Sequence, residues 1–216
     1  MNKVNIIGLP VPISDRFRIV LDQGLCKYYG IPRDGRVRMK CLEDSLYIFP
    51  ESAEVQDTEI KQVTIGRLNL PMQWVRSQNV QIGGQAFLMA ADDCIQVRIN
   101  PWESSDVNRI FGIPLKIFKG SVIYIPKSFW AQYDINPEHD WIIRSEYPDR
   151  LDFRKFRPGT LCENETVRNV FLSSVHIHPG WMESIGLKIN DTVWLIGTAT
   201  GIIILPRRFY ENFITV

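Results

Sequence analysis

The chain lacks a membrane-length apolar run, a paired-cysteine motif and an excess of charge of either sign, and each absence removes a class of function. Its four cysteines, Cys26, Cys41, Cys94 and Cys162, include no CxxC pair and no even spacing. That fits a reducing, cytoplasmic compartment better than a disulfide scaffold. No stretch reaches the ~18 apolar residues of a spanning helix, so no membrane partner is expected. The apolar opening "VNIIGLPVPI" is broken by Pro10 and Pro12 and carries neither a basic leader nor a small-residue cleavage site, so it is read as neither signal nor anchor. A nucleophile elbow, a phosphate-cradling glycine loop and a paired-carboxylate pattern are all missing, and Gly83-Gly84 reads as a turn. The expectation is therefore no enzyme and no cofactor.

Charge is just as flat. Lys and Arg number 25 against 24 Asp and Glu, and residues 1–104 hold 12 of each. Neither half is a basic module, so any nucleic-acid contact has to come from a local patch rather than from bulk charge. Hydrophobic residues at 45% are enough to bury a real core.

What the chain does contain is repetition. "IGLPVPI" at 7–13 returns as "FGIPLKI" at 111–117, with Gly8 and Pro10 recurring as Gly112 and Pro114. Four gapless lines follow these lead-ins: residues 17–39, 66–88, 121–143 and 173–195. Each opens on β-rich residues, such as Ile19-Val20-Leu21 or Val122-Ile123-Tyr124-Ile125. A short helix is expected next, with Pro71 and Pro126 at its first position and Asp22 and His178 in the same slot. Three and seven residues on lie Leu25 and Tyr29, Trp74 and Gln78, Phe129 and Tyr133, Trp181 and Ile185, a helical face broken only by Gln78. An aliphatic residue comes two positions later, Ile31, Val80, Ile135 or Leu187, then a turn and a hairpin.

The unit is thus strand, short helix, turn, hairpin. About 35 residues of that kind cannot bury their own apolar face, so units have to pair. Units 17–51 and 65–100 make a first domain over 1–104, and units 119–155 and 170–207 a second over 105–216, because only the first unit of each pair carries the lead-in. Segments 52–62, 100–118 and 156–169 are left as loops. The six tryptophans, Trp74, Trp102, Trp130, Trp141, Trp181 and Trp194, mostly fall in repeat slots and read as core, with Trp102 and Trp130 alternatively open to a partner.

"GRLNLPMQWVRSQNVQIGGQAFL" at 66–88 resembles the AbrB/MazE/SpoVT superfamily, whose pattern is a Gly-Arg strand, a proline-started helix, an aliphatic residue, a glycine-type turn and a hairpin. The first unit keeps Arg18 where the second has Arg67; the third and fourth read Ser121-Val122 and Ser173-Ser174 instead. The pairing of units within one chain looks most like MraZ, as does "SLYIFPES" at 45–52. The resemblance implies a mainly β fold with short helices, arranged as two tandem swapped-hairpin β-barrels. It also implies a transcriptional regulator that binds double-stranded DNA through basic residues on and beside the first strands.

The candidates nearest the family's basic strand and helix start are Arg16, Arg18, Lys27, Arg67 and Arg76, suited to phosphate neutralisation and, for arginine, to reading guanine edges. Against this stands pairing of the same cations with Asp15, Asp22 or Glu43. The C-terminal half offers Lys116, Lys119 and Lys127, with His176 and His178 where a basic strand belongs. Its cluster Arg150, Arg154, Lys155 and Arg157 reads as a solvated surface. Two histidines on one strand face are short of a metal site, so no metal is expected. The rival to DNA binding is a protein-interaction or self-association module built on the same units.

Overall fold

A computed structural model describes residues 5–102, 110–170 and 172–209. The protein is mainly β, and its α-helices at 23–29, 72–77, 127–132 and 179–184 are six or seven residues long. No helix among the described residues is long and apolar enough to cross a membrane. The chain divides into two compact bodies. The N-terminal body holds residues 8–102 and 110–113; the C-terminal body holds residues 5–7, 114–170 and 172–209.

In chain order the N-terminal body has β1 (Leu9–Pro12), β2 (Arg18–Val20), α1 (Gln23–Tyr29), β3 (Gly35–Leu42), β4 (Ser45–Pro50), β5 (Glu59–Thr64), β6 (Arg67–Asn69), α2 (Met72–Ser77), β7 (Gln85–Ala91) and β8 (Ile95–Arg98). Strand β9 (Ile110–Lys116) contributes its first residues here and its last to the other body. The C-terminal body continues with β10 (Val122–Tyr124), α3 (Lys127–Gln132), β11 (Trp141–Glu146), β12 (Leu151–Lys155), β13 (Glu165–Asn169), β14 (Ser174–His176), α4 (Pro179–Ser184), β15 (Thr192–Gly197) and β16 (Ile202–Leu205).

Both bodies have the same wiring. Antiparallel pairing runs β5-β3-β4-β8-β7-β1 in the first and β13-β11-β12-β16-β15-β9 in the second. The first strands of the two units pair with each other, β2 with β6 and β10 with β14. Hydrogen bonds repeat at equivalent positions of the repeat. Ile13 N–H reaches the Gly84 carbonyl at 2.9 Å and Ile117 N–H reaches that of Asp191 at 2.9 Å. In the first body the run also continues from β5 through β6 to β2, and no closed barrel is traced among the described residues.

The helices end alike for a local reason. Ile31, Val80, Ile135 and Leu187 donate their N–H groups back to Cys26, Val75, Trp130 and Met182, at 2.8, 2.9, 2.9 and 2.8 Å. The residue before each, Gly30, Asn79, Asp134 or Gly186, is left-handed, with φ of 68°, 49°, 54° and 64°. That is the Schellman arrangement, which satisfies the last helical carbonyls and directs the aliphatic side chain inward. Helix starts lie one residue later than expected, because Pro71 and Pro126 are caps in extended conformation rather than first helical residues. Asp22 caps α1 through its carboxylate, which accepts from Leu25 N–H at 2.9 Å.

Leu25, Trp74, Phe129 and Trp181 are buried, and so are Trp102 and Trp130, which are therefore core residues. Trp141 departs from the expectation: it opens β11 on the outward side and is 52% exposed. Segments 52–62 and 156–169 also hold more than loops, since β5 and β13 flank β3 and β11 as additional strands. Within 100–118, β9 is likewise a strand.

Candidate nucleic-acid interface

The five basic residues singled out in the sequence all belong to the N-terminal body. Its β2–β6 ribbon pairs Arg18 with Asn69, Ile19 with Leu68 and Val20 with Arg67. Alternation along a strand then decides which side each residue takes. Ile19 and Leu68 are buried, while Arg18, Val20, Arg67 and Asn69 face outward. Two arginines from different units, 49 positions apart in sequence, thereby share one face of a two-strand ribbon.

The ribbon is entered through a left-handed turn in every unit. Arg16-Phe17 has φ of 58° and 52°, Ile65-Gly66 has 51° and 71°, Gly120-Ser121 has 82° and 57°, and Leu172-Ser173 has 49° and 64°. Only glycine adopts this region without penalty, and a β-branched residue such as Ile65 is an outlier there. The turns hold the ribbon through backbone bonds: Leu21 N–H to the Gly66 carbonyl and Leu70 N–H to that of Phe17, both 2.9 Å. Phe17 and Gly66 share one slot of the repeat and take the same left-handed conformation.

Arg16 lies in this turn and is exposed. Arg18 is tied to Asp15 by an ion pair of 2.8 Å, so one of the anticipated acidic partners is real. The Arg18 hydrogen bond and charge hold the Asp15 carboxyl below the usual carboxylate range, with Arg16 and Arg67 adding to the effect. Asp22 is instead occupied by the α1 cap. Lys27 is exposed on α1 and Arg76 occupies the matching position on α2. Neither shares the ribbon face. Lys27 lines a cleft beside it, together with Val20 and Arg33, which the sequence did not single out.

The equivalent ribbon of the C-terminal body has different chemistry. Val122, Tyr124, Ser174 and His176 occupy the outward slots of Arg18, Val20, Arg67 and Asn69, and Val122 pairs with His176. Phe118 and Tyr124 form an edge-to-face ring pair at 5.4 Å, and both rings are largely exposed. His178 caps α4 rather than extending the strand face. No group of three or more metal-ligating side chains gathers among the described residues.

Three members of the anticipated basic cluster, Arg150, Arg154 and Lys155, are ion-paired. Arg150 bonds Asp152 at 3.1 Å, Arg154 bonds Glu165 at 2.7 Å, and Lys155 bonds Asp134 and Asp140 at 2.9 and 3.4 Å. Arg144 was missed altogether. Only 5% exposed, it donates to the His176 carbonyl at 3.0 Å and pairs with Glu146 at 2.6 Å, which makes it a strut beneath the ribbon. Its sequence slot is that of Lys40 in the first unit, so nothing in the residue type marked it.

Two cysteines are chemically quiet. Burial raises the Cys26 thiol to about 11 and the Cys94 thiol to about 12, with neighbouring aspartates adding to the effect. Neither forms a thiolate near neutral pH, so both serve as packing residues. Family models, curated proteins and solved structures give no match to this chain.

Proposed function

We propose that the protein is a DNA-binding transcriptional regulator of the AbrB/MraZ kind, in which two tandem modules each pair two swapped-hairpin units and only the N-terminal module engages the duplex. The observation that carries this reading is the shared outward face of Arg18 and Arg67, beside Arg16. Paired arginines on a two-strand ribbon offer planar donors to phosphates and base edges, and such a ribbon is narrow enough for a major groove. Lys27 and Arg76 flank the ribbon as phosphate contacts. The protein binds and does not catalyse.

The C-terminal module supports a second role within the same reading. Its ribbon carries Tyr124 and Leu172, 53% and 63% exposed, in the positions of Val20 and Ile65. An apolar ribbon of this kind serves a protein partner or self-association rather than phosphate. A mobility-shift titration of a generic duplex separates the two readings. DNA binding weakens by several-fold to orders of magnitude between about 50 and 200 mM salt, because bound phosphates release counterions. A complex indifferent to salt, or no complex at all, leaves the protein-interaction reading for the whole chain.

A further inference from the structure

The cleft beside the N-terminal ribbon has a volume of about 420 Å³, within the range of ligand pockets. Val20, Leu21, Ile31 and Ile65 supply its apolar wall, and Lys27 and Arg33 add two cations. Val20 and Ile65 are 50% and 56% exposed, an unusual condition for aliphatic side chains lining a concavity. Neither Lys27 nor Arg33 has a side-chain ion-pair or hydrogen-bond partner among the described residues. Apolar walls with unspent positive charge match one class of molecule.

We propose that this cleft binds a small amphipathic anion, a carboxylate carried on an aliphatic or aromatic body. The body covers the Val20, Ile31 and Ile65 side chains, and the carboxylate reaches Lys27 and Arg33, with arginine offering a two-pronged match to its oxygens. A bare phosphate of nucleic acid would leave the apolar wall uncovered. The site stands whether or not the ribbon binds DNA.

The other body provides an internal contrast. The corresponding place in its repeat is also concave, at about 370 Å³, but Ala131 and Pro137 replace Lys27 and Arg33. Its charged residues there are Lys127, paired with Glu138 at 3.5 Å, and Asp134 and Asp140, both bonded to Lys155. The place thus holds two cations without an ion-pair partner among the described residues in the first body, and one paired lysine beside two carboxylates in the second. Only the first suits an anion.

The test is an amide chemical-shift titration of the full ¹⁵N-labelled chain with sodium octanoate, sodium acetate and neutral octanol. Octanoate is expected to give saturable shifts at Val20, Lys27, Ile65 and Gly66, with acetate roughly tenfold weaker or worse. Lys27→Ala/Arg33→Ala is expected to weaken octanoate by about tenfold while leaving octanol within about twofold. Lys27→Gln/Arg33→Gln repeats the comparison with side-chain length kept, and an unchanged spectrum elsewhere certifies either variant as folded. Shifts that never saturate up to about 5 mM, shifts centred outside the cleft, acetate binding as well as octanoate, or an affinity unchanged in both double variants would each overturn the proposal.

Discussion

The Tyr133 hydroxyl donates a 2.8 Å hydrogen bond to the backbone carbonyl of Thr198, from just beyond the helix of one unit to the hairpin of the next. Tyr29 makes the same bond to the Ala91 carbonyl in the other body. Burial raises both phenols above their ordinary range, so each stays a neutral donor at any physiological pH. These bonds join the two units of each body. Removing only the hydroxyl, in Tyr133→Phe or Tyr29→Phe, leaves the ring packed and a carbonyl short of its donor. The expected loss is about 1–2 kcal/mol, read as reduced hydrogen-exchange protection within the body that carries the substitution.

Gly8 is needed for space rather than for conformational freedom. A Cβ there would lie 2.4 Å from the Leu88 carbonyl oxygen and 2.8 Å from the Trp102 ring, which is fully buried. Backbone on one side and a packed indole on the other leave little room to give. Gly8→Ala is therefore expected to cost about 1–3 kcal/mol, measured by denaturant unfolding with near-ultraviolet circular dichroism. Its echo Gly112 answers a different demand, a φ of 89°.

Leu172 holds a left-handed φ of 49° while 63% exposed, so it bears conformational strain without contributing much to the core. Leu172→Gly relieves that strain at some entropic expense in the unfolded chain. The two effects oppose each other, and the steric one is the larger. A gain of a few tenths to about 1 kcal/mol is expected, seen as a higher midpoint in thermal unfolding. A loss of similar size would show that the turn is not strained.

Glu165 accepts from Arg154 at 2.7 Å, from Cys162 N–H at 2.9 Å and from the Ser145 hydroxyl at 3.0 Å. These donors, Arg154 foremost, hold its carboxyl below the ordinary glutamate range. A depressed folded pKa stabilises the fold fully above the unfolded value, about 4.3, and the contribution fades as pH falls through the lower one. Urea midpoints of Glu165→Gln should therefore fall short of the parent at pH 7, and the gap should close near pH 3. A gap independent of pH would mean that shape, not charge, holds the connector.

Much of this architecture is legible from the repeat, because helix face, aliphatic stop and hairpin recur at fixed offsets. The aliphatic slot is readable because Ile31, Val80 and Ile135 are both buried and bonded to the preceding helix. What stayed hidden has physical causes. β5 reads "EIKQVT" and only Val63 in it is buried, so its alternation is too weak to separate a strand from a loop. The left-handed turns are masked because Phe17, Ser121, Leu172 and Ser173 adopt a conformation that glycine alone would advertise. Trp141 occupies a repeat slot whose outward direction depends on strand register, and register is set by pairing partners far along the chain. The arginines were legible one at a time. Their sharing of a face was not, since it arises only when β2 meets β6.

That shared face is also the most direct point of test. In a fluorescence-anisotropy titration of a duplex of about 30 base pairs, the logarithm of affinity should fall linearly with the logarithm of salt concentration. Arg18→Ala/Arg67→Ala should flatten that slope by about 2 if each arginine neutralises one phosphate, and Asp15→Asn should tighten binding by removing the anion beside them. An intact protein with no salt-sensitive binding, or a double variant with slope and affinity unchanged, would contradict the account.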